Sequence, residues 1–153
     1  MREVRTEVEI RATPDQVWKI LVEFDSYPSW NPFLRVAGGP LAVGAPLSVT
    51  VLPEGGFSTT FRAIVELATA PKELGWVGRL GVPGLFDGRH RFELTEVAPG
   101  RTRLVQRETF RGLLVSLAFY FGVGDATRAG FDRMNESLRQ RAEPSSSAAA
   151  PGT

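Results

Sequence analysis

Between Leu47 and Phe110 the apolar side chains fall on alternate positions, in short runs cut apart by turn residues. Leu47, Val49 and Val51 alternate before Pro53-Glu54-Gly55-Gly56, and Phe57, Thr59, Phe61, Ala63, Val65 and Leu67 alternate after it. Leu74, Trp76, Gly78 and Leu80 follow, then a Gly81-Val82-Pro83-Gly84 loop. Phe86, Gly88, His90, Phe92 and Leu94 next share one face, opposite Asp87, Arg89, Arg91 and Glu93. Beyond the Pro99-Gly100 turn, Leu104, Gln106, Glu108 and Phe110 face away from Arg103, Val105, Arg107 and Thr109. A period of two places each set on one side of a strand. Connections this short demand antiparallel neighbours, because parallel strands need long crossovers. The chain opens in the same way: Val4, Thr6, Val8 and Ile10 oppose Glu3, Arg5, Glu7 and Glu9.

Helical periodicity interrupts the strands once and then ends the chain. Thr13-Pro14-Asp15-Gln16 has the form of a helix start, with Thr13 as N-cap, Pro14 at the first helical position and Gln16 placed to complete a capping box. Val17, Ile20, Leu21 and Phe24 then recur at helical spacing. A second short helix near Ser26 must stop by Asn31, because Pro32 drives the preceding residue toward extended geometry. From about Leu113 to Ala142 one long helix is expected, with Leu117, Tyr120, Thr127, Phe131, Met134 and Leu138 on one stripe. Gly122, Gly124 and Gly130 are unusual there, each costing about 1 kcal/mol relative to Ala. They read either as room for a ligand or a moving first turn, or as close packing and a later helix start. The Ser- and Ala-rich segment 143–153 reads as a disordered tail after a domain of residues 1–142.

Composition closes off several function classes. With 153 residues the chain fits one domain, and 18 basic against 17 acidic side chains, interspersed, leave no basic stripe for nucleic acid. No cysteine and a single histidine leave no thiol chemistry and little to hold a metal, so neither a metal nor a cofactor is expected. The apolar run Leu113–Gly124 is too short to span a bilayer, so no stable membrane insertion is expected. The charged, alternating start does not read as a signal peptide, which points to a cytoplasmic protein.

One strand, two short helices, about six more antiparallel strands and a long last helix make an order that resembles the START and Bet v 1 superfamily of helix-grip proteins. The wording of Tyr27-Pro28-Ser29-Trp30-Asn31-Pro32-Phe33, of Gly88-Arg89-His90-Arg91-Phe92-Glu93-Leu94, of Thr102-Arg103-Leu104 leading to Glu108, and of Phe131 to Leu138 with Met134 and Asn135 is similar to the bacterial polyketide cyclase/dehydrase and lipid transport group. The resemblance covers roughly residues 3–142. It implies an α+β fold in which a curved seven-stranded antiparallel sheet wraps around the C-terminal helix and leaves a cavity with loops at its mouth. It is weaker for activity, since the group includes both binders and cyclases.

On the inward faces of the last two strands, His90, Gln106 and Glu108 interrupt an aromatic row. A buried carboxylate needs a hydrogen bond, neutralisation or nearby water. The three residues therefore form either a polar floor that orients a ligand or a self-satisfied structural network, for instance His90 paired with Glu108. If the site is catalytic, His90 or Glu108 is the candidate base and Gln106 or Asn31 the candidate donor to an enolate. Phe61, Trp76, Phe92 and Phe110 on strands and Tyr120, Phe131 and Met134 on the helix complete the expected ligand contacts. Asn31 precedes a proline and reads equally as a turn-maker, while Trp18 and Trp30 read as packing. The leading reading is carriage or sensing of an apolar molecule such as a lipid, isoprenoid or polyketide-like compound. The alternatives are a cyclase or aromatase-type enzyme and a protein-interaction module, and the oligomeric state, monomer or dimer, is left open.

Overall fold

The computed structural model describes residues 1–144. Its strands are β1 (Arg2–Ile10), β2 (Leu34–Gly38), β3 (Pro46–Val51), β4 (Thr59–Thr69), β5 (Glu73–Arg79), β6 (Asp87–Ala98) and β7 (Arg101–Arg111). They form one antiparallel sheet in the order β1-β7-β6-β5-β4-β3-β2. Every pair except β1–β7 joins sequence neighbours, which is why the connections are short. The expected seven-stranded helix-grip architecture is the one observed.

Helix α1 (Pro14–Val22) and a 3-10 turn (Phe24–Ser29) carry the chain from β1 to β2. The capping box forms as the sequence demands: Gln16 N donates to Thr13 Oγ1 at 3.2 Å and Thr13 N to Gln16 Oε1 at 2.9 Å. Val17 and Leu21 are fully buried on its inner stripe. Tyr27 is buried in the 3-10 turn, where its hydroxyl donates to the Leu21 carbonyl at 2.5 Å and its ring meets Trp30 in a T-shaped contact.

The C-terminal helix departs from expectation. It is broken into α2 (Val115–Tyr120) and α3 (Val123–Ala142) by Gly122, whose φ of +95° lies in the left-handed region. The break ends the predicted stripe: Thr127, Phe131, Met134 and Leu138 are buried, but Leu117 is 56% and Tyr120 83% exposed. Gly130 is explained by packing, because a Cβ there would sit 2.2 Å from the Phe33 ring. That ring meets Phe131 edge-on at 5.9 Å, so the missing side chain lets α3 settle against the chain entering β2.

Two strand details also differ. Phe57 lies before β4 and is 95% exposed, and a bulge between Val65 and Leu67 shifts the register by one. The shift takes Leu67 out of the core face and turns Ala68 toward the core instead. The expected tail falls mostly on residues 145–153, outside the described ones. Glu143 belongs to the folded part, since its carboxylate accepts from Arg11 N at 2.9 Å and from Arg139 at 2.7 Å.

Candidate functional site

The curved sheet and the two C-terminal helices do not fill the space between them. A cavity of about 420 Å³ remains, walled by strands β2 to β7 on one side and by Leu114, Ala118, Val123, Ala126 and Thr127 on the other. That volume falls within the range that encloses small-molecule ligands. Phe57 at the β3–β4 tip, Leu80 after β5 and Leu114 before α2 stand at the mouth, each substantially exposed. Leu113 N and Leu114 N donate to the carbonyls of Gly84 and Leu85, both at 3.0 Å, and so tie the β5–β6 loop to the start of α2.

The walls are mostly apolar, and their two titratable side chains come from adjacent strands. His90 on β6 stands opposite Glu108 on β7 in the ladder, and both reach the cavity. Trp76, buried on β5 opposite His90, lies beside them with its ring 5.1 Å from the imidazole. Phe33, Phe61, Phe86 and Phe110 add further aromatic wall, with Phe86 and Phe110 in contact at 5.6 Å between centroids.

His90 is held from behind by a buried polar chain. Its Nε2 is 3.1 Å from Gln106 Oε1, Gln106 Nε2 donates to Asn135 Oδ1 at 2.6 Å, and Asn135 Nδ2 donates to Thr6 Oγ1 at 2.9 Å. An amide oxygen only accepts, so in this arrangement His90 carries its proton on Nε2 and keeps Nδ1 as the acceptor. Phe92 stacks on the imidazole at 4.4 Å and Phe131 approaches at 4.9 Å. Burial among these rings outweighs the Gln106 hydrogen bond and lowers the His90 pKa to about 4, so the ring is neutral at physiological pH.

Glu108 is placed differently. Its carboxylate lies over Gly88, where an added Cβ would be 2.5 Å from Oε1, and the Phe110 ring flanks the same spot. The side chain is half-buried and lines the cavity, and burial pushes its pKa up to about 7. Among the described residues no side chain pairs with it: the cavity wall contains no Lys or Arg, and His90 is committed to Gln106.

The residues expected at the site thus take four different places. Phe61, Trp76, His90, Glu108 and Phe110 line the cavity. Phe92, Gln106, Phe131 and Met134 are fully or almost fully buried behind it, where they pack the core or orient His90. Tyr120 projects outward from α2, because the helix break turns it off the stripe. Asn31 is a turn-maker: its Oδ1 accepts from Phe33 N and Leu34 N, each at 2.9 Å, and the side chain is buried short of the cavity wall. A His90–Glu108 pair does not form. Sequence reasoning passed over Phe33, Phe86, Val123 and Thr127 as wall residues. Phe86 was legible from the same alternation as His90, and Val123 and Thr127 from their spacing of one helical turn.

Residues 1–143 match the family model described as polyketide cyclase / dehydrase and lipid transport. The chain belongs to this family. No curated protein sequence is significantly similar to this family member. Among solved structures, a hypothetical protein from Helicobacter pylori is 16% identical with a TM-score of 0.76, over 93% of this chain and 88% of that one. The Zhui aromatase/cyclase from a Streptomyces species is 16% identical with a TM-score of 0.75, over 92% and 93% of the two chains. A START superfamily protein from Mycobacterium smegmatis is 21% identical with a TM-score of 0.70, over 92% and 96%. At these identities the likeness establishes the fold. Family membership supports binding of a hydrophobic ligand or cyclase chemistry in general terms. No helix among the described residues is long and apolar enough to cross a membrane.

Proposed function

We propose that this family member binds an apolar small molecule in the cavity between its sheet and the C-terminal helices, as a carrier or a sensor. One observation carries the reading: a space of about 420 Å³ persists in an otherwise closely packed core, and its wall is aromatic and aliphatic apart from a few polar groups. An apolar void of this size in the fold forfeits packing contacts at a cost in stability, which a bound apolar ligand recovers. Mass spectrometry of the protein purified without denaturation, followed by titration with an environment-sensitive apolar fluorophore, tests it. A co-purified small molecule or saturable one-site dye binding supports the proposal. Protein that carries nothing and leaves the dye unbound refutes it.

A second reading, acid–base chemistry on a ketone, is favoured by the opposite protonation of the two facing groups. Near neutrality His90 offers an unprotonated Nδ1 while Glu108 is close to half protonated, and such a divergence between neighbours suits an acid and a base. The base would take a proton from the carbon beside a carbonyl, and the carboxylic acid would hydrogen-bond the developing enolate oxygen. Deuterium exchange at the α-carbon of a bound aromatic ketone, followed by NMR, tests this. Exchange that falls to the background rate in both His90→Ala and Glu108→Gln supports it, and exchange equal in parent and variants refutes it.

A further inference from the structure

Resting on the cavity-binding reading, we propose that the cavity selects ligands that carry a protonated amine on an apolar body, with Glu108 as their counterion, and discriminates against ligands that carry a carboxylate. The charges that face the cavity set this preference. Glu108 is the one formally charged side chain on the wall among the described residues, and no Lys or Arg lines the cavity; Arg2, on the same face of the sheet in β1, lies over the Phe119 ring at 5.8 Å, outside the wall. His90 is the other titratable wall group, and its ring is neutral and held by Gln106. Thr127 on α3 adds only a hydroxyl. The carboxylate is therefore a half-buried acceptor whose partner the described residues do not supply.

Its position suits a cation. Gly88 leaves room for the carboxylate to lie flat on the sheet with Oε1 turned into the space a side chain would occupy. Phe110 flanks it, Phe86 packs on Phe110, and Trp76 stands beyond His90, so an ammonium brought to Oε1 meets aromatic rings as well as the carboxylate. Ring faces attract cations, most strongly when both are desolvated. A neutral hydroxyl donates a hydrogen bond to the carboxylate but leaves its charge unbalanced. An anionic one places like charges together in a medium of low dielectric with no basic group to offset them.

Three ligands with the same ten-carbon body test the assignment at pH 8, where Glu108 is ionised and an alkylamine is protonated: decylamine, decan-1-ol and decanoic acid, by calorimetry or dye displacement. On the parent protein decylamine binds at least tenfold more tightly than decan-1-ol, and decanoic acid binds more weakly than either. In Glu108→Gln the amine falls to the level of the alcohol, decanoic acid gains, and decan-1-ol is unchanged. Gly88→Ala, which displaces the carboxylate and leaves it in the chain, reduces the amine's advantage in the same direction. An alcohol that binds as tightly as the amine, or an amine preference that survives in Glu108→Gln, overturns the assignment and leaves the cavity reading standing. Failure of all three ligands to bind the parent removes both.

Discussion

Replacing Glu108 by Gln tests the electrostatics of the cavity through folding stability, with no ligand needed. Burial moves this carboxyl from 4.5 to about 7, so between those values the folded state holds a proton that the unfolded chain has released. Stability contributed by the neutral form is complete below about pH 4.5 and is lost as pH rises through 7. A shift of that size corresponds to about 3 kcal/mol once the group is ionised. Because water can enter the cavity beside it, about 2 kcal/mol is the working figure. Gln is nearly isosteric and never ionises. Urea denaturation of parent and Glu108→Gln should therefore show a gap below about 1 kcal/mol near pH 5 that opens to about 2 kcal/mol, in favour of the variant, near pH 8. Equal stability at both pH values, or a variant weaker than the parent at pH 8, means that the carboxylate has a partner or lies in bulk water, and the reasoning fails.

Other consequences are open to direct measurement. His90 is the single histidine, so its ring proton signals follow it without ambiguity; they should stay at their neutral positions until the pH approaches 4, and a midpoint near 6.5 would place the ring in solvent. The same burial withdraws stability as the pH falls from about 6.5 toward 4, since the unfolded chain takes up that proton first. Asn135→Leu leaves Gln106 Nε2 and Thr6 Oγ1 without their partner and should destabilise by about 1–3 kcal/mol in denaturant titration; a neutral result would mean the chain behind His90 is not formed. Gly130→Ala gains about 1 kcal/mol of helix propensity yet drives a methyl into the Phe33 ring, so a net loss of about 1–2 kcal/mol is expected, and a stabilised variant would contradict the packing.

Much of this architecture was legible because each strand carries its own period. The alternation around His90, Gln106 and Glu108 placed all three on the inner face, and the short turns dictated the antiparallel order. What escaped was decided by single residues that change direction. The bulge beside Glu66 exchanges Leu67 for Ala68, and a strict count of two does not register an extra residue. Gly122 ends one helix and starts another, so a stripe drawn through it joins side chains that point apart, as the exposed Tyr120 shows. Within the site, face membership did not distinguish the wall from the layer behind it. Gln106 and Glu108 share a face two residues apart, yet Asn135 draws the first into the core while Gly88 leaves the second open to the cavity. That distinction depends on Asn135 of α3 and on the missing side chain at Gly88 of β6, which no pattern within β7 encodes.

The central event is an apolar molecule entering the space beside Trp76. In a protein carrying Trp18→Phe and Trp30→Phe, Trp76 is the sole indole. Titration with a decyl alcohol tipped with bromine, which quenches indole fluorescence on contact, reports directly on that wall. Saturable quenching with one-site stoichiometry is the predicted result. Quenching that rises linearly without saturating, as free collisions in solvent give, or no quenching at all, would contradict it.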